Sequence, residues 1–203
     1  MSSMATTKRR VSGAERREML LAAAREQFAR HGFHGAATAA IARDAGCSEA
    51  VLYRHFASKR DLLLATLERE ITGRIAEGRA IAPPPGAAVP DALPAVLGRI
   101  LDDPDMWITA RLILLSIALT DDPEVGETMR GWFGKVRAPL RAALEAGQAA
   151  GAVRDDVDAE TLTWLWHGLI LAAAVRNAIA DDGEARASLG AAEVLADLLR
   201  PPA

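Results

Sequence analysis

The sequence predicts an all-α protein of about nine helices, and three observations carry that prediction. Ala and Leu abound while β-branched and aromatic residues are sparse, a bias toward helix over strand. In the longer segments the apolar residues recur at helical spacing. The segments are also bounded by residues that start and stop helices: Ser or Asp ahead of a Glu or Pro, and Gly behind. Half of the 203 residues are apolar, enough for a substantial core in one domain or in a small head joined to a larger body.

Taken in order, residues 1–11 read as a disordered arm bearing Lys8, Arg9 and Arg10. Ser12-Gly-Ala-Glu15 has the form of a capping box, in which the Ser side chain accepts an early amide and the Glu reaches back. The helix it opens carries Leu20, Leu21, Ala24 and Phe28 on one face, and Gly32 ends it. Residues 38–45 form a short second helix stopped by Gly46, and Ser48 caps a third over residues 49–55. Ser58-Lys-Arg-Asp61 opens a long fourth helix whose Leu64, Leu67, Ile71 and Ile75 share a face. Ala82-Pro-Pro-Pro-Gly86 cannot continue it and reads as a linker.

Farther on, Asp103-Pro104 and Asp122-Pro123 each place a cap ahead of a Pro suited to the first helical position, and Asp91 heads a shorter helix. Asp158 caps a Trp-rich helix over 158–180, and Gly183 separates it from a last helix at 184–199. No convincing strand or internal repeat appears. The expected organisation is a basic arm over 1–11, a helix-turn-helix head over 12–58, and a helical body over 59–203.

Charge divides along the same line. Residues 1–60 carry 11 Lys and Arg against 5 Asp and Glu, a balance of +6, and residues 61–203 carry 13 against 22, a balance of −9. A basic head on an acidic body points to a polyanion for the head alone, or to charges clustered by chance on a solvated face. The one cysteine, Cys47, excludes an internal disulfide and a cysteine-based zinc cluster and suits a reducing cytoplasm. The N-terminus lacks the apolar stretch of a secretory signal. The longest apolar run, Leu162 to Val175, is 14 residues and contains His167, too short for a membrane span.

Three features converge on residues 38–59. Ala45-Gly-Cys-Ser48 is a tight helix-to-helix turn, as in a helix-turn-helix whose second helix lies in the DNA major groove. Ile41, Ala45, Leu52 and Phe56 are spaced to pack the two short helices inward, which leaves Glu49, Ala50, Tyr53 and Arg54 outward. Tyr53, His55, Ser58 and Lys59 concentrate donors beside that helix, suited to phosphates, while Arg54 suits a bidentate contact to guanine.

The stretch Ile41-Ala-Arg-Asp-Ala-Gly-Cys-Ser-Glu-Ala-Val-Leu-Tyr-Arg-His-Phe-Ala-Ser-Lys59 resembles the signature of the tetracycline-repressor (TetR) family, and Phe28 to Gly35 resembles the end of its first helix. The resemblance covers residues 14–65 and implies a three-helix DNA-binding head, a longer helical ligand domain and a homodimer. It carries phosphate contacts to Tyr53, His55 and Lys59, and base-reading positions to Glu49, Ala50, Val51 and Arg54. Ser48 and Thr38 complete the expected DNA-binding set. The family usually has Ser or Thr where Ala36 and Ala37 stand, so Thr38 is the one hydroxyl left there; Ala39 and Ala40 replace a polar face.

Other readings of single residues are plainer. Cys47 reads as a small buried filler rather than a redox sensor. His31 and His34, without acidic or thiol company, make a poor metal site, and no metal is expected. Nothing after residue 60 resembles a catalytic constellation or a phosphate-binding glycine loop, so neither an enzyme nor a cofactor is expected.

The body offers bulk instead. Met106, Trp107, Met129, Trp132, Phe133, Trp164, Trp166 and His167 sit on helices that suit either a cavity for a small molecule or ordinary core packing, with Arg111 and His167 as orienting groups. The resemblance favours the cavity and implies that the last two helices pair with their twofold mates through Leu165, Leu169, Ala173, Leu195 and Leu198. The function so implied is a repressor released from a palindromic operator by a small apolar or amphipathic effector. An activator of the same family and an effector-binding protein with weakened operator recognition stay open beside it.

Overall fold

The computed structural model describes residues 11–81, 89–101, 103, 105–179 and 185–201, and the side chains of all these except 77–81, 100, 101, 106, 107, 174, 177–179 and 185–189. The expected arm at Lys8 to Arg10, the linker at 82–86, Pro104 and Gly183 lie outside the described residues. Among the described residues the chain forms nine helices and no strand: α1 (Gly13–Gly35), α2 (Thr38–Asp44), α3 (Glu49–His55), α4 (Lys59–Ile81), α5 (Val89–Leu101), α6 (Met106–Ile117), α7 (Pro123–Ala149), α8 (Ala159–Ile179) and α9 (Ala185–Leu198). They divide into two compact units, Met1–Thr66 and Leu67–Ala203, so the division falls within α4 rather than at its start.

In the first unit the expected capping box at the head of α1 is formed: Ser12 Oγ accepts from the Glu15 amide at 3.1 Å, and Glu15 accepts from the Ser12 amide at 2.8 Å. Gly32, at φ +69°, breaks the helical path as the sequence requires, but the chain regains a helical turn and α1 runs on to Gly35. A left-handed residue is cheap only for glycine, which is why the break sits there. Leu20, Leu21, Ala24 and Phe28 are buried, and α1 packs on α2 and α2 on α3. Each fully buried leucine contributes about 1.5–3 kcal/mol.

The apolar face of α4 differs from the expected one. Leu62, Leu63, Thr66 and Leu67 are buried, whereas Leu64, Ile71 and Ile75 are half-buried. The spacing rule locates the stripe and misses its phase by a residue or two. Ser58 does cap this helix, accepting from the Asp61 amide at 3.1 Å.

In the second unit α5 packs on α9, α7 and α6 pack on α8, and α8 packs on α9. Val89, Leu93, Leu97, Leu144, Val153, Leu162, Trp166 and Leu199 form its core. Asp122 caps α7 by accepting from the Glu124 and Val125 amides, and Asp158 caps α8 by accepting from the Thr161 amide at 2.8 Å and hydroxyl at 2.7 Å. Two other expected caps serve different ends. Asp91 lies inside the first turn of α5 and pairs with Arg200 at 2.7 Å. Asp103 accepts from the Asp105 amide and pairs with Arg74, while α6 begins at Met106.

The loop between α7 and α8 is held from both sides. Gln148 donates to the Arg154 and Val157 carbonyls at 2.8 and 2.7 Å. The Arg154 amide donates to the Leu199 carbonyl at 2.9 Å, its Nη1 donates to the Leu198 carbonyl at 3.2 Å, and its guanidinium grips Asp156 with two bonds of 2.6 Å. The end of α9 is thereby clipped to the segment ahead of α8.

Candidate functional site

The head presents one face of α3 outward because the opposite face is spent on packing. Ile41, Ala45, Leu52 and Phe56 are buried as expected, and Glu49, Ala50, Tyr53 and Arg54 are exposed. Val51 and His55 are half-buried at the flanks. The turn between α2 and α3 depends on Gly46 at φ +67°, with its amide donating to the Arg43 carbonyl and the Cys47 amide to the Ala42 carbonyl. Cys47 is half-buried, not fully buried as expected of a filler, and forms no disulfide.

The expected cap at Ser48 is not made. Ser48 has the extended backbone of an N-cap, yet its hydroxyl makes no capping bond and the residue is exposed. Thr38 is the first residue of α2, behind an Ala37 that has no cap to offer. Its hydroxyl instead donates to Glu49 Oε1 at 2.5 Å and accepts from the Tyr53 hydroxyl at 3.4 Å. Three of the expected DNA-binding residues are therefore joined to one another. Lys59 donates to the His34 carbonyl at 3.3 Å and stands 5.1 Å from the centre of the Phe33 ring. Partial burial holds its ammonium below the ordinary 10.5.

One residue that braces this surface escaped the sequence. Arg16 on α1 donates through Nη1 to the Ala45 carbonyl at 2.5 Å and to the Gly46 carbonyl at 3.1 Å, so a guanidinium fixes the turn. A charge-assisted bond of this kind is roughly twice as strong as a neutral one. The cue was an arginine one turn into a helix that must pack beside the turn, and it reads equally well as a solvated charge. Gln27 adds a second tie, donating to Asp44 at 2.7 Å.

The second unit contains a small cavity of about 10 Å³ walled by Leu67, Glu70, Ile71 and Arg74 of α4, Thr109, Leu112 and Ile113 of α6, and Met129 and Trp132 of α7. Of the expected pocket residues it uses Met129 and Trp132. Phe133 packs against Trp132 with ring centres 4.6 Å apart, Trp166 belongs to the α5–α9 core, and Arg111 and Trp164 are exposed. The side chains of Met106 and Trp107 lie outside the described residues. His167 is half-buried beneath Arg137 and Glu160, its Nδ1 3.2 Å from the Thr163 carbonyl; burial, more than any neighbour, pushes its imidazole below the ordinary 6.5.

The polar end of the cavity is a cluster that sequence reasoning missed. Arg74 donates through Nε to Thr109 Oγ1 at 3.1 Å, pairs with Asp103, and lies 3.6 Å from Glu70, while the Thr109 hydroxyl donates to Glu70 at 2.7 Å. The available signal was Glu70 and Arg74 one turn apart on the apolar side of α4, beside Leu67 and Ile71. Trp132 is 9% exposed, and its indole N–H is buried without an acceptor among the described residues.

The expected partner-facing residues fall into two groups. Leu165 and Leu198 are 54% and 57% exposed, joined by Trp164 and Val194 at 54% and 61%. Leu169 and Leu195 pack against the chain's own core, and Ala173 is buried. The described residues hold no group of three or more His, Cys, Asp and Glu placed to bind a metal, and none of their helices is long and apolar enough to cross a membrane.

Comparison with known proteins agrees with this geometry. The family model described as "Bacterial regulatory proteins, tetR family" matches residues 20–66, which span most of α1 and all of α2 and α3. Over 148 residues the chain is 30% identical to the HTH-type transcriptional repressor AcnR of Corynebacterium efficiens, covering 72% of this chain and 73% of that protein. Over 57 residues it is 51% identical to the HTH-type transcriptional activator FasR of Mycolicibacterium smegmatis, covering 28% of this chain and 26% of that one. The fold is similar to that of the transcriptional regulator FadR from Bacillus subtilis in complex with stearoyl-CoA, with a TM-score of 0.70 at 19% identity over 90% of this chain and 99% of that chain. With an outward-facing row on α3, a glycine-hinged turn and a relative matched over most of its length, the chain belongs to the tetR family of bacterial regulatory proteins.

Proposed function

We propose that the chain is a cytoplasmic, homodimeric repressor that leaves its operator when a small apolar molecule occupies the body. The observation that carries the DNA-binding part is the outward row Glu49, Ala50, Tyr53 and Arg54 on α3, flanked by Thr38, Ser48, His55 and Lys59. Tyr53, His55 and Lys59 serve as phosphate-positioning donors, with Thr38 and Ser48 beside them, and Glu49, Ala50, Val51 and Arg54 as the base-reading row. Dimerisation uses the exposed apolar row of Trp164 and Leu165 on α8 with Val194 and Leu198 on α9. Two heads then address half-sites about one helical turn or somewhat more apart. An effector shifts the balance only by its differential affinity for the operator-competent state.

Fluorescence anisotropy on a duplex from the chain's own upstream region tests the reading. Wild-type protein is retained with an affinity that falls steeply with salt, by a log–log slope of about −0.9 per phosphate neutralised. The Tyr53→Ala, Lys59→Ala double variant loses retention; undiminished binding by that variant rejects the assignment.

A second reading is activation. The similarity of the head to that of FasR supports it. Transcript levels of the adjoining genes in a strain lacking the chain separate the two, rising for a repressor and falling for an activator.

A further inference from the structure

We infer that Glu49 fixes one base of the operator: its carboxylate accepts the N4 amine of a cytosine, so each half-site carries a C·G pair beneath the first residue of α3. The inference rests on the reading above that α3 enters the major groove, and it names the base pair selected there.

The first argument is the placement of the charge. Glu49 is exposed and stands among the hydroxyl donors of Thr38 and Tyr53. A carboxylate on a surface that meets a polyanion weakens binding to every duplex alike, unless a donor on the DNA answers it. The plainer role for an acidic residue at a helix start is to favour that helix's own amides. Among the described residues Glu49 makes no bond to the amides of α3; its Oε1 turns across to the Thr38 hydroxyl of α2 at 2.5 Å.

The second argument selects the base. An ionised carboxylate only accepts hydrogen bonds. In the major groove guanine presents the acceptors N7 and O6, and thymine presents the acceptor O4 with a methyl group. Adenine offers its N6 amine beside the acceptor N7, which repels a carboxylate lying in the plane of the base. Cytosine alone offers an amine with no acceptor of its own beside it.

The third argument is that the carboxylate is held before DNA arrives. Thr38 accepts from the Tyr53 hydroxyl at 3.4 Å and donates to Glu49 Oε1, which leaves Oε2 without a partner among the described residues. The exposed Ala50 alongside is too short to compete for the same base edge.

The test selects duplexes from a random library with the full chain, with Glu49→Gln and with Glu49→Ala, and then measures single-pair changes by fluorescence anisotropy. The wild-type motif contains a C·G pair in each half-site, and changing it to T·A or A·T weakens binding about tenfold. Glu49→Gln, whose amide both donates and accepts, prefers A·T at that position, because it matches adenine N6 and N7 together. Glu49→Ala binds all four pairs there with similar affinity, and it serves as the second variant if Glu49→Gln fails to fold. A shift of preference at one base pair is a readout that a merely structural role of Glu49 would not move. If the wild type enriches no sequence, the regulator reading fails and the inference with it. A wild-type motif that both variants reproduce, or one in which the position they alter is not C·G, overturns the inference alone.

Discussion

The Thr38 hydroxyl donates to the Glu49 carboxylate at 2.5 Å, tying the first residue of α2 to the first residue of α3 across the surface proposed to meet DNA. A backbone phosphate approaching Thr38 meets that carboxylate. Two unit charges about 4 Å apart in water interact by about 1 kcal/mol, or roughly fivefold in affinity. Glu49→Gln keeps the shape and removes the charge, so its affinity for a duplex of random sequence rises about fivefold at low salt, with the gain fading as salt screens it. Anisotropy across a salt series checks this. Unchanged or weaker binding to random duplex would show that Glu49 does not oppose phosphate.

Arg16 fastens the α2–α3 turn through the Ala45 and Gly46 carbonyls. Arg16→Ala removes two charge-assisted bonds and destabilises the head by about 2 kcal/mol. Gly46→Ala puts a side chain at φ +67° and costs about 1–2 kcal/mol. Both variants exchange the Cys47 and Leu52 amides faster and bind operator more weakly. Wild-type exchange rates in Arg16→Ala would contradict the brace.

His167 makes stability depend on pH. Burial depresses its folded-state value below 6.5, so the unfolded chain binds the proton more readily than the folded one. The contribution is complete above about 6.5 and is lost as the pH falls through the depressed value. Urea midpoints taken from neutral to mildly acidic pH decline for the wild type, and His167→Gln flattens that part of the decline. Parallel curves for the two proteins would argue that His167 is not the group responsible.

Gly147 is a packing position. A Cβ there would lie 2.6 Å from Val153 Cγ2, and the Gly147 carbonyl already receives the Ala152 and Val153 amides. Gly147→Ala therefore costs about 1–3 kcal/mol. Gly131 in the same helix has open space around the added carbon, and Gly131→Ala raises stability by up to about 1 kcal/mol. Melting temperatures of the pair move in opposite directions. A Gly147→Ala protein as stable as the wild type would mean that the Val153 loop yields freely.

Local chemistry explains which parts of this molecule could be read in advance. Ser12 with Glu15, Asp122 and Asp158 with their helices, and Gly46 at its turn all act within four residues, so sequence spacing suffices to find them. Asp91 and Asp103 are caps by every local rule and were drawn away by arginines, Arg200 and Arg74, that no local rule connects to them. The same limit hid the cavity. Its walls come from three helices, and aromatic bulk pointed equally to Trp166, which packs in the core, and to Trp132, which lines the void. The head was the more legible half because its packing and its exposed row alternate on two seven-residue helices.

The clip formed by Arg154 on the Leu198 and Leu199 carbonyls has a practical side. The end of α9 acts there as a fastener on the segment ahead of α8. Reporters fused beyond Pro201 leave that fastener shut. Trimming back past Leu198 takes away the carbonyls it engages, opens the seam between the last two helices, and gives proteases a place to begin.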